Sequence, residues 1–261
     1  MDSAISWLYT LPIELSFIIF IITFVSLSLG FLWLYKKFTK GHEMTIGIDS
    51  AVGLFLGVVS IFLGVLLSLI VVDTWTNYGQ TRNISYQEAN DIYLLYKVMD
   101  NMPDTETIKF TIIEYLNYII FFEYPALAYG TVPDEGTEII NRLQNEIYSY
   151  EPPADKAALY GTAIGLLDTC LAQRITRIGG ASFANNDWFI WIALLDSVML
   201  LIMCCFINTN EVFHYILMTI TSTYIATAIF LILIVSNPFR GGAKLTPLPF
   251  ESALKNIELY P

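Results

Sequence analysis

The stretch AVGLFLGVVSIFLGVLLSLIVV, Ala51–Val72, decides how this chain is read. It contains no charge over its whole length, and as an α-helix rising 1.5 Å per residue it reaches across the roughly 30 Å hydrocarbon core of a bilayer. Within it Gly53, Gly57, Ser60, Gly64 and Ser68 follow one another at steps of four, three, four and four, which puts all five on one stripe of the helix. Small residues in such a row let helix backbones approach closely, so one reading is a helix-packing seam. The other is the wall of a pore, where small side chains leave a water path and the serine hydroxyls face it. Asp49 and Asp73 bracket the run; in the pore reading they put a carboxylate at each mouth and favour cations.

Three further runs share this character: Leu15–Tyr35, Trp188–Ile207 and Tyr215–Val235. Only 14% of the residues are charged and 55% are apolar, whereas a soluble domain needs about 25% charge to cover its surface. Nothing basic precedes the first run and Lys36, Lys37 and Lys40 follow it, the reverse of a signal peptide, so it reads as a true span. The expected fold is an all-α integral membrane protein of four transmembrane helices, with a four-helix extramembrane insert between spans two and three. Its divisions are 1–72 (tail and spans one and two), 73–187 (insert), 188–236 (spans three and four) and 237–261 (C-terminal tail).

The insert carries sixteen Asp and Glu against seven Lys and Arg. Ile92, Leu95, Tyr96 and Met99 mark one apolar helix face, and Ile112, Ile113, Leu116, Ile119 and Ile120 the next. The turn-forming segments Met102–Thr105, Glu123–Gly136 and Tyr150–Asp155 separate helices expected at about 82–101, 105–129, 134–151 and 154–178. The lysine-rich loop after the first span, beside a tail without Lys or Arg, belongs in the cytoplasm by the positive-inside rule, so the insert is expected outside it, in an inner-membrane, multi-pass protein. Arg82, Arg174, Arg177, Arg240 and Lys244 argue the other way.

Asp196 interrupts the third run about 12 Å into it from Trp188. A carboxylate there costs about 2.5–3.5 kcal/mol on insertion scales, and no Lys, Arg or His inside the spans offsets it. Hydroxyls are its expected partners, notably Thr219, Thr223 and Thr227, which form one stripe on the last span. Two roles stay open: a neutral Asp in an interhelical hydrogen bond, or a station on an ion or proton path. Enzyme chemistry finds no support, because His42 and His214 stand alone without ligand spacing and no nucleophile–base set occurs. Cys170, Cys204 and Cys205 show no disulfide or metal spacing and read as small core residues. No metal or cofactor is expected, and a net charge of −11 excludes nucleic acid as a partner.

Three segments carry a resemblance: LSLIVVDTWTNYGQTRNISYQEANDIYLLYKVMDNMP (Leu67–Pro103), EYPAL (Glu123–Leu127) and NPFRGGAKLTPLPFESAL (Asn237–Leu254). Together they resemble the bestrophin-like family of membrane proteins, over nearly the whole chain. The resemblance implies four spans with a helical insert. Through the distant link to true bestrophins it implies a pentameric ion channel with span two along the pore and the insert in the cytoplasm. The aromatic neck of that pore would correspond to Phe55 and Phe62, seven apart on one face, where lipid contact or packing is the other reading. The acidic calcium clasp of animal bestrophins has no counterpart in this sequence. The reading that results is a homo-oligomeric, cation-preferring channel in a lipid bilayer, passing monovalent ions, with span two along the pore. The rival is a non-conducting, membrane-anchored module whose acidic insert binds a partner.

Overall fold

A computed structural model describes residues 11–39, 46–182, 187–207 and 209–259; side chains at 46–50, 182 and 187–189 fall outside it. The regular elements are all helical: α1 Ile13–Thr39, α2 Ile46–Asp100, α3 Glu106–Tyr118, a π-helical turn Ile119–Glu123, α4 Tyr124–Leu127, α5 Glu135–Tyr148, a 3₁₀ turn Ala154–Lys156, α6 Ala157–Ser182, α7 Asp187–Cys205, α8 Glu211–Ser236 and α9 Leu248–Leu259. No strand occurs among the described residues. The chain divides into two compact units, 1–76 with 185–236, and 77–184 with 237–261.

The first unit holds α1, the first half of α2, α7 and α8. Three helices, α1, α2 and α8, are long and apolar enough to cross a membrane, and Ile190–Cys205 of α7 is a shorter apolar helix. α8 is the central member: 56% of its apolar window is buried, against 11% for α2. Phe17 and Phe20 of α1 meet Phe230 of α8, with centroids 5.2 and 5.7 Å apart. His214 of α8 donates from Nε2 to the Cys204 carbonyl at 2.9 Å, satisfying one of the acceptors that the end of α7 leaves open. Cys204 and Cys205 are free and buried in this core.

α2 is one unbroken helix of 55 residues, so the second apolar run and the first helix of the insert are the same element. Its pattern changes along its length while the backbone does not. Before Asp73 it is apolar all round; beyond Asn77 one stripe is buried, the polar Thr81, Ser85 and Glu88 and the apolar Ala89, Ile92, Leu95, Tyr96 and Met99, the apolar part lying in the core of the second unit. Met102–Thr105 reverses the chain, with Asp104 in the left-handed region (φ 54°) and the Thr105 hydroxyl donating to the Met99 carbonyl at 2.7 Å. α3 then packs on α5 and α9. The segment 237–261, set apart above as a tail, belongs to this second unit. Its Asn237 accepts from the Phe239 N–H, and the Leu245 N–H donates to the Pro238 carbonyl at 2.7 Å, so the turn after α8 is fixed by its own hydrogen bonds.

Candidate functional site

Around α2, at about 100° per residue, the apolar stretch presents four faces. Leu63 and Leu67 are buried in the apolar core of the first unit, and Thr74 on the same face is buried as well. Gly53, Gly57, Ser60, Gly64 and Ser68 lie about 80° to one side of them, and nothing stands within 4 Å of a Cβ built on Gly53, Gly57 or Gly64. Phe55 and Phe62, both largely exposed, lie about 170° from the glycine stripe, and Asp73 shares their face. Opposite the buried face runs a row of exposed aliphatic side chains, Leu54, Val58, Ile61, Val65 and Val72. The glycine stripe and the phenylalanines therefore point in nearly opposite directions and cannot line one axis together. The side chain of Asp49 lies outside the described residues.

Asp196 is half-buried on α7; its Oδ2 is buried and without a hydrogen bond. The hydroxyls expected to meet it are engaged on their own helices. Thr219, Thr223 and Thr227 donate to the carbonyls of Tyr215, Thr219 and Thr223, and Ser197 donates to that of Ala193, all at 2.6–2.8 Å. A carbonyl four residues back is always within reach of a helical hydroxyl, and it takes the proton first.

Sequence reasoning missed the strongest polar constellation, which lies in the second unit. Arg177 of α6, fully buried, donates from Nε to Glu88 Oε2 at 2.6 Å and from one terminal nitrogen to Glu88 Oε1 at 3.0 Å and Glu123 Oε1 at 2.6 Å. Arg174, one turn earlier, reaches Glu123 Oε2 at 2.6 Å. Tyr115 adds a hydroxyl to Glu88 at 3.1 Å. The Arg177 guanidinium also lies 5.5 Å from the ring centroid of Tyr124 and 5.3 Å from that of Phe250, so α9 places an aromatic ring against it. The π turn is what brings Glu123 inward. Its wider winding buries Ile119, Ile120 and Glu123 together and leaves Phe121 and Phe122 exposed. At Gly136 a Cβ would fall 2.7 Å from Glu123 Oε2 and 2.8 Å from Arg174, so only glycine lets the first turn of α5 sit on this pair. Burial pushes the Glu123 carboxyl up, but the charges of Arg177 and Arg174 and their hydrogen bonds outweigh it and hold the group below its ordinary value. Burial and the Glu88 charge raise the Tyr115 hydroxyl well above the usual range, so it stays a donor. The signals were in the sequence: two arginines at i, i+3, and a glutamate inside the apolar run IIFFEYPAL.

No group of three His, Cys, Asp or Glu among the described residues is placed to hold a metal ion. The arrangement defines an all-helical integral membrane protein with a second helical unit organised around a buried ion network. The chain belongs to the bestrophin-like family, whose model, a Bestrophin-like domain, matches residues 22–250. Among solved structures it is similar to variants of a bacterial bestrophin homologue from Klebsiella pneumoniae. One gives a TM-score of 0.62 at 13% identity, over 92% of this chain and 97% of that one; another gives 0.59 at 15%, over 93% and 96%. At such identities the likeness is one of fold. No curated protein matches this chain by sequence.

Proposed function

We propose that the chain is one subunit of a homo-oligomeric ion channel in which four helices, α1, the first half of α2, α7 and α8, cross the membrane and α2 lines the central axis. The observation that carries this reading is α2 itself, an apolar helix with 11% of its window buried and open space over its glycines. Kinship with bestrophins supports it. In a ring of copies the buried face of α2 is directed outward onto its own subunit, so the row Leu54, Val58, Ile61, Val65 and Val72 faces the axis. The glycine stripe and the phenylalanine face then become the two flanks. Residues at equal height meet in a symmetric ring, so Phe62 of one copy packs over Ser60 and Gly64 of the next, and Phe55 over Gly53 and Gly57. Such a heterologous contact closes into a ring. An aliphatic axis gates by dewetting, and the acidic excess of the chain favours cations.

The test is flux in liposomes. Purified oligomer should pass Na⁺ or K⁺ in preference to Cl⁻ under a bi-ionic gradient. An intact oligomer that conducts none of Na⁺, K⁺, Cl⁻ or H⁺ would instead support the anchored partner-binding module, which the acidity of the second unit favours.

The side of the membrane is a separate prediction. Arg174 and Arg177 are spent in the buried network and do not act as flanking loop charges. Without them the basic residues opposing Lys36, Lys37 and Lys40 fall to three, Arg82, Arg240 and Lys244, so the counts balance and only the asymmetry about the first span still points outward. The bestrophin kinship then favours a cytoplasmic insert. With the native cysteines replaced by alanine, Asp134→Cys should react with an impermeant thiol reagent only after lysis. Labelling in intact cells would restore the charge-based orientation.

A further inference from the structure

A cavity of about 180 Å³ lies wholly within the second unit, walled by the stretch of α2 that carries Tyr78, Arg82 and Ser85 and by the segment Lys244–Pro249 leading into α9. Three observations give it a chemistry. Its charged lining is entirely basic: Arg82 and Lys244 border it, no carboxylate does, and neither forms an ion pair among the described residues. That is unexpected in a unit whose acids outnumber its bases. Next, Tyr124 belongs to the lining, is only 5% exposed, and its hydroxyl has no hydrogen bond. The Ser85 hydroxyl lies beside it, but gives its own proton to the Thr81 carbonyl at 2.9 Å. Burial pushes the Tyr124 hydroxyl up to about 12, against the opposing charge of Arg177, so it remains a proton donor. A buried donor without an acceptor is destabilising, and a ligand oxygen in the cavity would relieve it. Finally, the walls are fixed. The Tyr78 hydroxyl donates to the Ala243 carbonyl at 2.9 Å, and Gly241, at φ 85°, makes the turn that returns the segment to Pro238.

We propose that this cavity binds a small phosphate-type oxyanion, clamped by Arg82 and Lys244 and hydrogen-bonded by the Tyr124 hydroxyl. An arginine fork with a lysine point charge recognises oxyanions in preference to halide. The volume is below the range of about 300–1,000 Å³ that suits drug-sized ligands, which excludes a nucleotide and fits a single phosphate group. That group comes either from free phosphate or from an anionic lipid headgroup; the walls are close in sequence to the ends of two apolar runs, Val72 and Val235. The site does not depend on conduction.

The full-length protein in detergent should bind sodium phosphate saturably in calorimetry, and sodium chloride at matched ionic strength should not replace it. Arg82→Gln and Lys244→Gln should each weaken binding about tenfold or more, the loss expected for a charge-assisted hydrogen bond. Tyr124→Phe keeps the ring against Phe239, Phe250 and Arg177 and removes only the unbonded hydroxyl. It should fold as the parent does and bind about fivefold more weakly. In parallel, protein reconstituted in phosphatidylcholine with and without phosphatidic acid is re-extracted and its retained lipid counted by native mass spectrometry. Retention of phosphatidic acid that the Arg82 and Lys244 variants lose, without binding of free phosphate, identifies the headgroup as the source. If neither phosphate nor phosphatidic acid binds, or if the three variants bind as the parent does, the proposal is overturned.

Discussion

Arg177→Met should unfold the second unit or leave it close to unfolding, with a loss of about 3–5 kcal/mol, the range for removing one partner of a buried charge pair. Methionine fills much of the space but leaves Glu88, fully buried, without a cation and with only the Tyr115 hydroxyl as a partner, while the buried Glu123 keeps Arg174 alone. The aromatic pair Tyr124 and Phe250 loses the guanidinium it flanks, so the docking of α9 should weaken in the same step. Limited proteolysis of the detergent-purified protein reads this directly: cleavage within 77–184 and near 248–259 should appear in the variant and not in the parent. Arg142→Gln is the internal control. Its pairing with Glu114 is half-exposed, so the change should cost about 1 kcal/mol or less. A tolerated Arg177→Met would mean that the network contributes nothing to the integrity of this unit.

The same network sets an acid limit. The folded value of Glu123 lies below its unfolded value, so its contribution is complete above about pH 4.3 and falls away as the pH drops through the lower, folded value. Proteolytic resistance of the second unit should accordingly fail on the acid side.

The apolar runs were legible because a bilayer leaves a compositional imprint, and the helix faces of the insert because burial on one side leaves a period near 3.6. Ile92, Leu95, Met99, Ile112 and Leu116 are buried as that period requires. The continuity of α2 was harder to read: between Asp73 and Arg82 the polar residues and Gly79 look like a joint, yet none of them breaks a helix. The ion network was illegible for a different reason. Its partners stand 51 to 89 positions apart, and no local pattern pairs Glu88 with Arg177 or Glu123 with Arg174. Taken singly, the two arginines looked like loop charges beside a span. Asp196 stood out as an anomaly, but its partners depend on how the helices pack; the expected threonine hydroxyls give their protons to their own helix and offer only their oxygens as acceptors.

Substitutions on the three uncovered faces of α2 should fail in three different ways. Gly57→Leu and Gly64→Leu place a branched side chain where the proposed ring seats the phenylalanine of the next copy. Each should convert the oligomer to smaller species on a sizing column, since a small-residue seam admits no such bulk and its packing is the driving force for helix association in lipid. Phe62→Ala removes the other half of the same contact and should weaken the oligomer in the same direction, though less, because a void is more easily closed than a clash. Ile61→Ser and Val65→Ser lie on the aliphatic row. They should leave the oligomer intact and raise flux, because a hydroxyl holds water in a constriction that aliphatic side chains keep dry. The assignment of faces rests on one structural observation, that Leu63 and Leu67 are the side of α2 covered by its own subunit. If Gly64→Leu stays fully assembled but no longer conducts, while Ile61→Ser changes nothing, the glycine stripe faces the axis and the aliphatic row faces lipid. The copies would then meet through other surfaces, and the ring would be turned by about a quarter revolution about each α2.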